Sequence, residues 1–321
     1  MMRFLIFLLL VLPTVVFSQG YPSKPVRMVI PFAPGGASDF VGRILQPRLG
    51  ELLGQQVIAE NRPGASGNIG VDVAAKSAPD GYTFLLGNIG SIAINPGVFA
   101  RLAVNPLTDL IAVTQVVDVP SALVAHPTLP ADNIKELVAY ARANPGKLNY
   151  ASPGSGSQNR LEMEVLRNLA GGLDMVHVPY KGGAGPAIAG LVGGETHLMF
   201  VTVSSAIGHV RNGRLKILAI STPKRMEQLP SVPTTSESGY PELAASSWQG
   251  VFVPAGTPQD IVERLHAIVL KTMASPEVVE RLANGGVIVT TSASPAAFAE
   301  FVANETKRWV RVAKEANATA D

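Results

Sequence analysis

From residue 26 onward the chain repeats one pattern: a short apolar run, a loop rich in Gly, Pro and Ser, then apolar positions at helical spacing. Residues 26–32 (VRMVIPF) read as a buried strand and residues 33–38 (APGGAS) as its loop. Asp39 reads as the N-cap of a helix carrying Phe40, Val41, Ile44 and Leu45. Residues 56–60 are a second strand, 61–67 (NRPGASG) its loop, and about 68–76 the following helix. Residues 82–86 are a third strand, opening into GNIGSIAINP. Beyond Asp109, two apolar runs flank Asp118 and Pro120, as expected where a chain crosses between domains.

The pattern then resumes with a helix at about 134–142 and a strand at 148–151. The loop 152–156 (SPGSG) follows, and Ser157 is the expected N-cap of a helix carrying Leu161, Met163, Val165, Leu166 and Leu169. A strand at 175–179, the loop 180–185 (YKGGAG) and a helix at 186–191 come next, then strands at 197–201 and 215–221. A loop at about 223–245 leads to a strand at 248–253. Helices at 258–273, 276–284 and 295–316 then bracket a strand at 287–290. This alternation predicts an α/β fold with mostly parallel sheets. Similar units before and after residue 120 predict two domains of like topology.

The first eighteen residues stand outside this pattern. Arg3 precedes an unbroken apolar run at residues 4–12, Pro13 follows, and Val16 and Ser18 are small enough for a cleavage site. The run is shorter than the roughly 20 residues of a membrane span, so residues 1–18 read as a cleavable secretory signal. The mature chain then starts near Gln19 and is expected outside the cytoplasm. No cysteine follows the run, which excludes a lipid anchor.

Composition narrows the chemistry. Once Arg3 is removed, 25 basic residues face 24 acidic ones, too even a balance for a nucleic-acid partner. The absence of cysteine excludes disulfides, thiolate metal sites and cysteine nucleophiles. What remains is the loops. A glycine-rich loop entering a helix presents free N–H groups and the positive end of the helix dipole, and so binds anions without a charged side chain. Four such loops occur, around Gly35, Gly64, Gly154 and Gly183. No Walker, dinucleotide-binding or nucleophile-elbow spacing is present, and the five histidines show no zinc spacing. His177 lies in an alternating strand and reads as packed. No metal, cofactor or catalytic group is expected.

These loops carry a resemblance. YPSKPVRMVIPFAPGGASD, ENRPGASGNIG, KSAPDGYTFLLG, YASPGSGS, HVPYKGGAGPAIAGLVGGETHLMF and WQGVFVPAGTP occur in order over nearly the whole mature chain. In this the chain resembles the Bug family, the periplasmic receptors of tripartite tricarboxylate transporters. The resemblance implies a two-domain type II periplasmic-binding-protein fold with a hinge, periplasmic location, and capture of a small carboxylate for delivery to membrane permease subunits. It implies ligand contacts at Pro34, Gly35, Gly36, Ala37 and Asp39, at Ser91, at Ser155, Gly156 and Ser157, and at Tyr180 and Lys181. Of Gly35 and Gly36, at least one is expected to hold a positive φ or to approach the ligand too closely for a Cβ.

Two positions depart from the family pattern. Asn159 or Arg160 stands where a histidine is common, and Val201 stands where an acid is common. Without that acid an amino-acid ligand is disfavoured against a di- or tricarboxylate or an aromatic acid. Residues 19–119 with 223–321 are expected to form one domain and residues 120–222 the other. The hinge crossings fall near 118–121 and 221–223, and a monomer is expected. The alternatives are a ligand sensor for a membrane signalling protein and an exported enzyme acting on small carboxylates.

Overall fold

The computed structural model describes residues 20–154, 157–180, 183–222, 224–243, 246–315 and 318–319. The expected signal segment lies outside them. Two strand–helix units open the chain: β1 (Val26–Ile30) with α1 (Ala37–Leu53), then β2 (Val57–Asn61) with α2 (Asn68–Ala75). Strand β3 (Thr83–Asn88) runs into a wide helical turn at Gly90–Ile94 and the short α3 (Asn95–Val98). After α4 (Pro106–Asp109) comes β4 (Leu110–Ala125), 16 residues long and buried over most of its length.

Next follow α5 (Ile134–Ala143), β5 (Leu148–Ser152), α6 (Gln158–Leu169), β6 (Met175–Pro179) and α7 (Ala184–Val192). Strand β7 (Leu198–Thr202), α8 (Val203–Arg211) and β8 (Lys216–Ile220) complete that region. The chain ends with β9 (Ser246–Pro254), α9 (Gln259–Met273), α10 (Pro276–Asn284), β10 (Ile288–Val289) and α11 (Pro295–Glu315). Among the described residues no helix is long and apolar enough to cross a membrane.

The strand order is β2-β1-β3-β9-β4-β7-β5-β6, with β8 and β10 also on β4. Parallel pairing holds for β1 with β2 and β3, and for β5 with β6 and β7. The centre is antiparallel: β9 opposes both β3 and β4, and β4 opposes β7 and β8. The expected mostly parallel sheet is therefore mixed. A strand that crosses from one lobe to the other takes its direction from the crossing and not from a βαβ return.

The two apolar runs expected around Asp118 and Pro120 are one continuous strand. Residues Leu110 to Pro120 pair with β9, and Ser121 to Ala125 pair with β7. Pro120, which has no N–H to donate, sits where the pairing partner changes.

Each lobe has its own apolar interior. In the first, α1, α9 and α10 cover one face through Leu45, Leu265 and Leu282, and Trp248, Phe298 and Trp309 fill the other. In the second, Leu137, Tyr150 and Phe200 pack on one face, and Ile188, Leu191 and Val201 on the other. Residues 224–243 belong with this second lobe: Leu243 is in its core, and Met226, Leu229 and Val232 pack against it. The expected boundary at 222 and 223 thus falls before the packing changes. Two local expectations also shift. Helix α1 starts after Gly36, which places Asp39 inside the first turn and not at the cap. Helix α8 follows β7 with no glycine or proline loop to mark it, and the apolar pattern missed it.

Candidate functional site

A cavity of about 50 Å³ lies where the two lobes meet. Four helices begin at its wall. Gly36, Ala37 and Ser38 bring the start of α1, Ser157, Gln158 and Asn159 that of α6, Ala184 that of α7, and Thr202 the cap position of α8. Phe32, Ser66, Asn88 and Ser247 complete much of the remaining lining. Among the described residues no charged side chain lines it. Free first-turn N–H groups and aligned peptide dipoles make such a wall electropositive while every side chain stays neutral.

The first-lobe loop is held from behind. Asp39 accepts from the Gly35 N–H (3.2 Å), from Asn61 Nδ2 (3.0 Å) and from Arg43 Nε (3.2 Å). Asn61 Nδ2 also donates to the Phe32 carbonyl at 2.9 Å. Asp39 therefore shapes the loop and does not line the cavity. Gly35 has φ 88°, the left-handed region expected for one of the two glycines, whereas Gly36 has φ −92° and an ordinary extended conformation. Of the expected contacts here, Gly36 and Ala37 line the cavity. Pro34 and Gly35 lie to the side, against Gly185 of the second lobe.

Ser91 is fully buried and also acts from behind. Its Oγ donates to the Asn88 carbonyl (3.2 Å), and its N–H donates to Asn88 Oδ1 (3.0 Å). Asn88 in turn donates from Nδ2 to Ser38 Oγ at 3.4 Å. The cavity thus receives Asn88 where the sequence comparison pointed to Ser91. Next to it, Ala65 and Ser66 both hold positive φ, 46° and 54°, without being glycine. Two such residues in a row store backbone strain, which collects at ligand clamps. Ser66 lines the cavity and faces Gly154 across the lobe seam, where a Cβ would sit 2.6 Å from Ser66 Oγ.

On the second lobe, Ser157 caps α6: its Oγ accepts from the Arg160 N–H at 3.2 Å and donates to the Gly154 carbonyl at 2.8 Å. Ser152 Oγ accepts from the Gly154 N–H (3.2 Å) and lies 2.7 Å from His177 Nε2. His177 stacks on Tyr150, and burial, helped by Arg160 and Arg167, pushes it down to about 4. It is a neutral prop for the loop. Tyr180 turns away from the cavity: its hydroxyl donates to Glu195 at 2.8 Å and its ring covers Gly190. Ser155, Gly156 and Lys181 lie outside the described residues.

Behind α6 sits an acid that the motifs did not single out. Glu162 is 3% exposed. Its Oε2 lies 2.8 Å from Ser121 Oγ and accepts from Asn159 Nδ2 at 3.3 Å, and its Oε1 accepts from Gln158 Nε2 at 3.1 Å. Burial outweighs these hydrogen bonds and pushes its carboxyl up to about 8. Burial thus favours the protonated carboxyl, which adds no negative charge behind the cavity. Ser38, Ser66, Asn88, Gln158, Thr202 and Ser247 are lining residues that sequence reasoning did not name. Strand-to-helix position marks most of them, but Ser247 sits on the returning strand, where no local signal exists.

Two lobes on one shared strand, with helix N-termini converging on a cavity between them, define a two-lobed binding protein. The chain's similarities agree. Residues 41–318 match the model described as tripartite tricarboxylate transporter family receptor. Protein BugT of Bordetella pertussis is 38% identical over 304 residues, covering 94% of this chain and 92% of that one. Among solved structures, MatC from Rhodopseudomonas palustris with bound malate has a TM-score of 0.86 at 32% identity, covering 91% of this chain and 99% of that one. R. palustris Rpa4515 with adipate has a TM-score of 0.89 at 34% identity, covering 94% and 100%.

The chain belongs to the tripartite tricarboxylate transporter receptor family, with the two-domain periplasmic-binding-protein fold. Its solved relatives include a periplasmic transporter and the periplasmic binding protein BugD.

Proposed function

We propose that this protein is exported to the periplasm, captures a small carboxylate between its lobes and delivers it to the membrane subunits of a tripartite transporter. The observation that carries the reading is the convergence of four helix starts on one cavity with no charged lining residue among those described. Backbone N–H groups at Gly36, Ala37 and Ser38 take one carboxylate, and the polar wall at Ser157, Gln158 and Asn159 takes the other end. The malate and adipate bound by two relatives support a short dicarboxylate.

The mechanism is closure. The first domain comprises about residues 20–120 and 246–319, the second about 121–243, and the hinge is the pair of strands at Pro120 with Ser246 and Val119 with Ser247. Support for this placement comes from the switch of β4 partners and from the packing of residues 224–243. A ligand that touches both lobes stabilises the closed form by its differential affinity.

Titration calorimetry with a panel of di- and tricarboxylates and aromatic acids tests the reading. At 100 times Kd a ligand adds about 2.7 kcal/mol to stability, so a melting-temperature screen will find it first. Absence of any shift across the panel would overturn the proposal. Mass analysis of exported protein tests cleavage after Ser18.

A further inference from the structure

Among the described residues that line the cavity, one has a buried polar side-chain atom without a partner. Gln158 is the first residue of α6, lines the cavity and is 3% exposed. Its Nε2 donates to Glu162 Oε1 at 3.1 Å, whereas its Oε1 is buried with no hydrogen-bond partner among the described residues. A buried amide oxygen left unpaired is costly, and native proteins satisfy such atoms with water or ligand. The orientation of the amide is not free. Turning it over would place Oε1 against Glu162 Oε1, so Glu162 holds Nε2 inward and leaves the oxygen on the other side.

Glu162 keeps this role when protonated. Its Oε2, 2.8 Å from Ser121 Oγ, directs the proton to that hydroxyl, which lies within 3.4 Å of the Val201 carbonyl as onward acceptor. Oε1 then remains a carbonyl acceptor for Gln158. We propose that Gln158 Oε1 is a specificity determinant that accepts a hydrogen bond from a hydroxyl of the ligand, so that this receptor takes a hydroxycarboxylate in preference to the unsubstituted acid of the same length.

A hydroxyl fits better than an ammonium group. A desolvated cation needs an opposite charge beside it, and no charged side chain lines the cavity among the described residues. The one acid behind this wall is occupied by Ser121, Gln158 and Asn159 and is held neutral by burial. A neutral, unpaired acceptor on a lining residue matches a neutral donor. The site that hydrogen-bonds a hydroxyl also rejects the analogue without it, because its own acceptor is then left unpaired.

This inference rests on the carboxylate reading above, and the test separates the two. Calorimetry on the mature protein would compare malate with succinate and 2-hydroxyadipate with adipate. The expected result is that, in at least one pair, the hydroxylated member binds about tenfold or more tightly. In Gln158→Met, similar in volume but without the acceptor, the hydroxylated member should lose more affinity than the unsubstituted one, so that the preference disappears. Equal or tighter binding of the unsubstituted member by the wild-type protein overturns the inference and leaves the carboxylate reading standing. So does an equal loss for both members in a Gln158→Met protein that melts normally. Failure of the wild-type protein to bind any of the four acids overturns this inference, and failure across the whole carboxylate panel overturns both. The wild-type comparison decides the matter even where the variant does not fold.

Discussion

Glu162 gives the protein a stability that should fall as the solution becomes alkaline. In the unfolded chain its carboxyl ionises near 4.5, and in the folded protein near 8. Between those values the folded state holds a proton that the unfolded state has released. Stability from this group is therefore fully present below about 4.5 and is lost as pH rises through about 8. His177 works in the opposite sense. Burial lowers it from 6.5 to about 4, so its contribution is present above 6.5 and lost as pH falls towards 4.

Below 6.5 the two slopes offset each other, and from 6.5 to 8 the Glu162 slope stands alone. At about 1.4 kcal/mol per pH unit, that window should cost on the order of 2 kcal/mol. Glu162→Gln removes the titration: its oxygen accepts from Gln158 Nε2 and its amide donates to Ser121 Oγ, while Asn159 Nδ2 loses the acceptor that Oε2 offers. The variant should lose the decline, so that its stability relative to the wild-type protein rises by on the order of 2 kcal/mol from pH 6.5 to 8. Denaturant unfolding followed by circular dichroism at pH 6.0, 6.5, 7.0, 7.5 and 8.0 reads both proteins. Parallel curves for the two proteins across that window would refute the argument, because the slope would then come from another group.

Three further changes probe the lobe seam and its loops. In Gly185→Ala the new Cβ would overlap the Pro34 carbonyl oxygen across the seam, so closure should be blocked and carboxylate affinity should fall about tenfold or more with an unchanged ligand-free melting curve. Calorimetry showing wild-type affinity would remove the seam from the mechanism. Asp39→Ala frees the Gly35 N–H and Asn61 and should lower stability by about 0.5–2 kcal/mol, with Asp39→Asn recovering part of it in thermal melts. Ser66→Gly relieves a left-handed residue and should raise stability by about 0.5–1 kcal/mol, measured by denaturant midpoint, whereas a loss would mean that Ser66's own contacts outweigh the strain.

Much of the site was legible because of where strands stop. The loops around Gly35, Gly64 and Gly154 were readable as anion-ready turns, and each contributes to or borders the cavity. The individual contacts were less legible. Asp39, Ser91 and Tyr180 match family motifs, yet Asp39 braces the loop beside the cavity, Ser91 braces Asn88, which lines it, and Tyr180 bonds Glu195 elsewhere. A motif records that a residue is needed at a position, and bracing and contact leave the same mark in a sequence.

Local chemistry along the chain determined the alternation of strands and helices, the two like halves and the positions of the glycine loops, because apolar period and backbone freedom are properties of short segments. The direction of the central strands is different. It depends on β4 running through both lobes and on β9 returning beside it, pairings between residues more than a hundred positions apart. The unpartnered Gln158 oxygen, the neutral state of Glu162 and the approach of Gly185 to Pro34 belong to the same class. Each arises from burial or contact between distant segments. Only the folded packing decides those, because the cost of desolvating a group depends on everything that surrounds it.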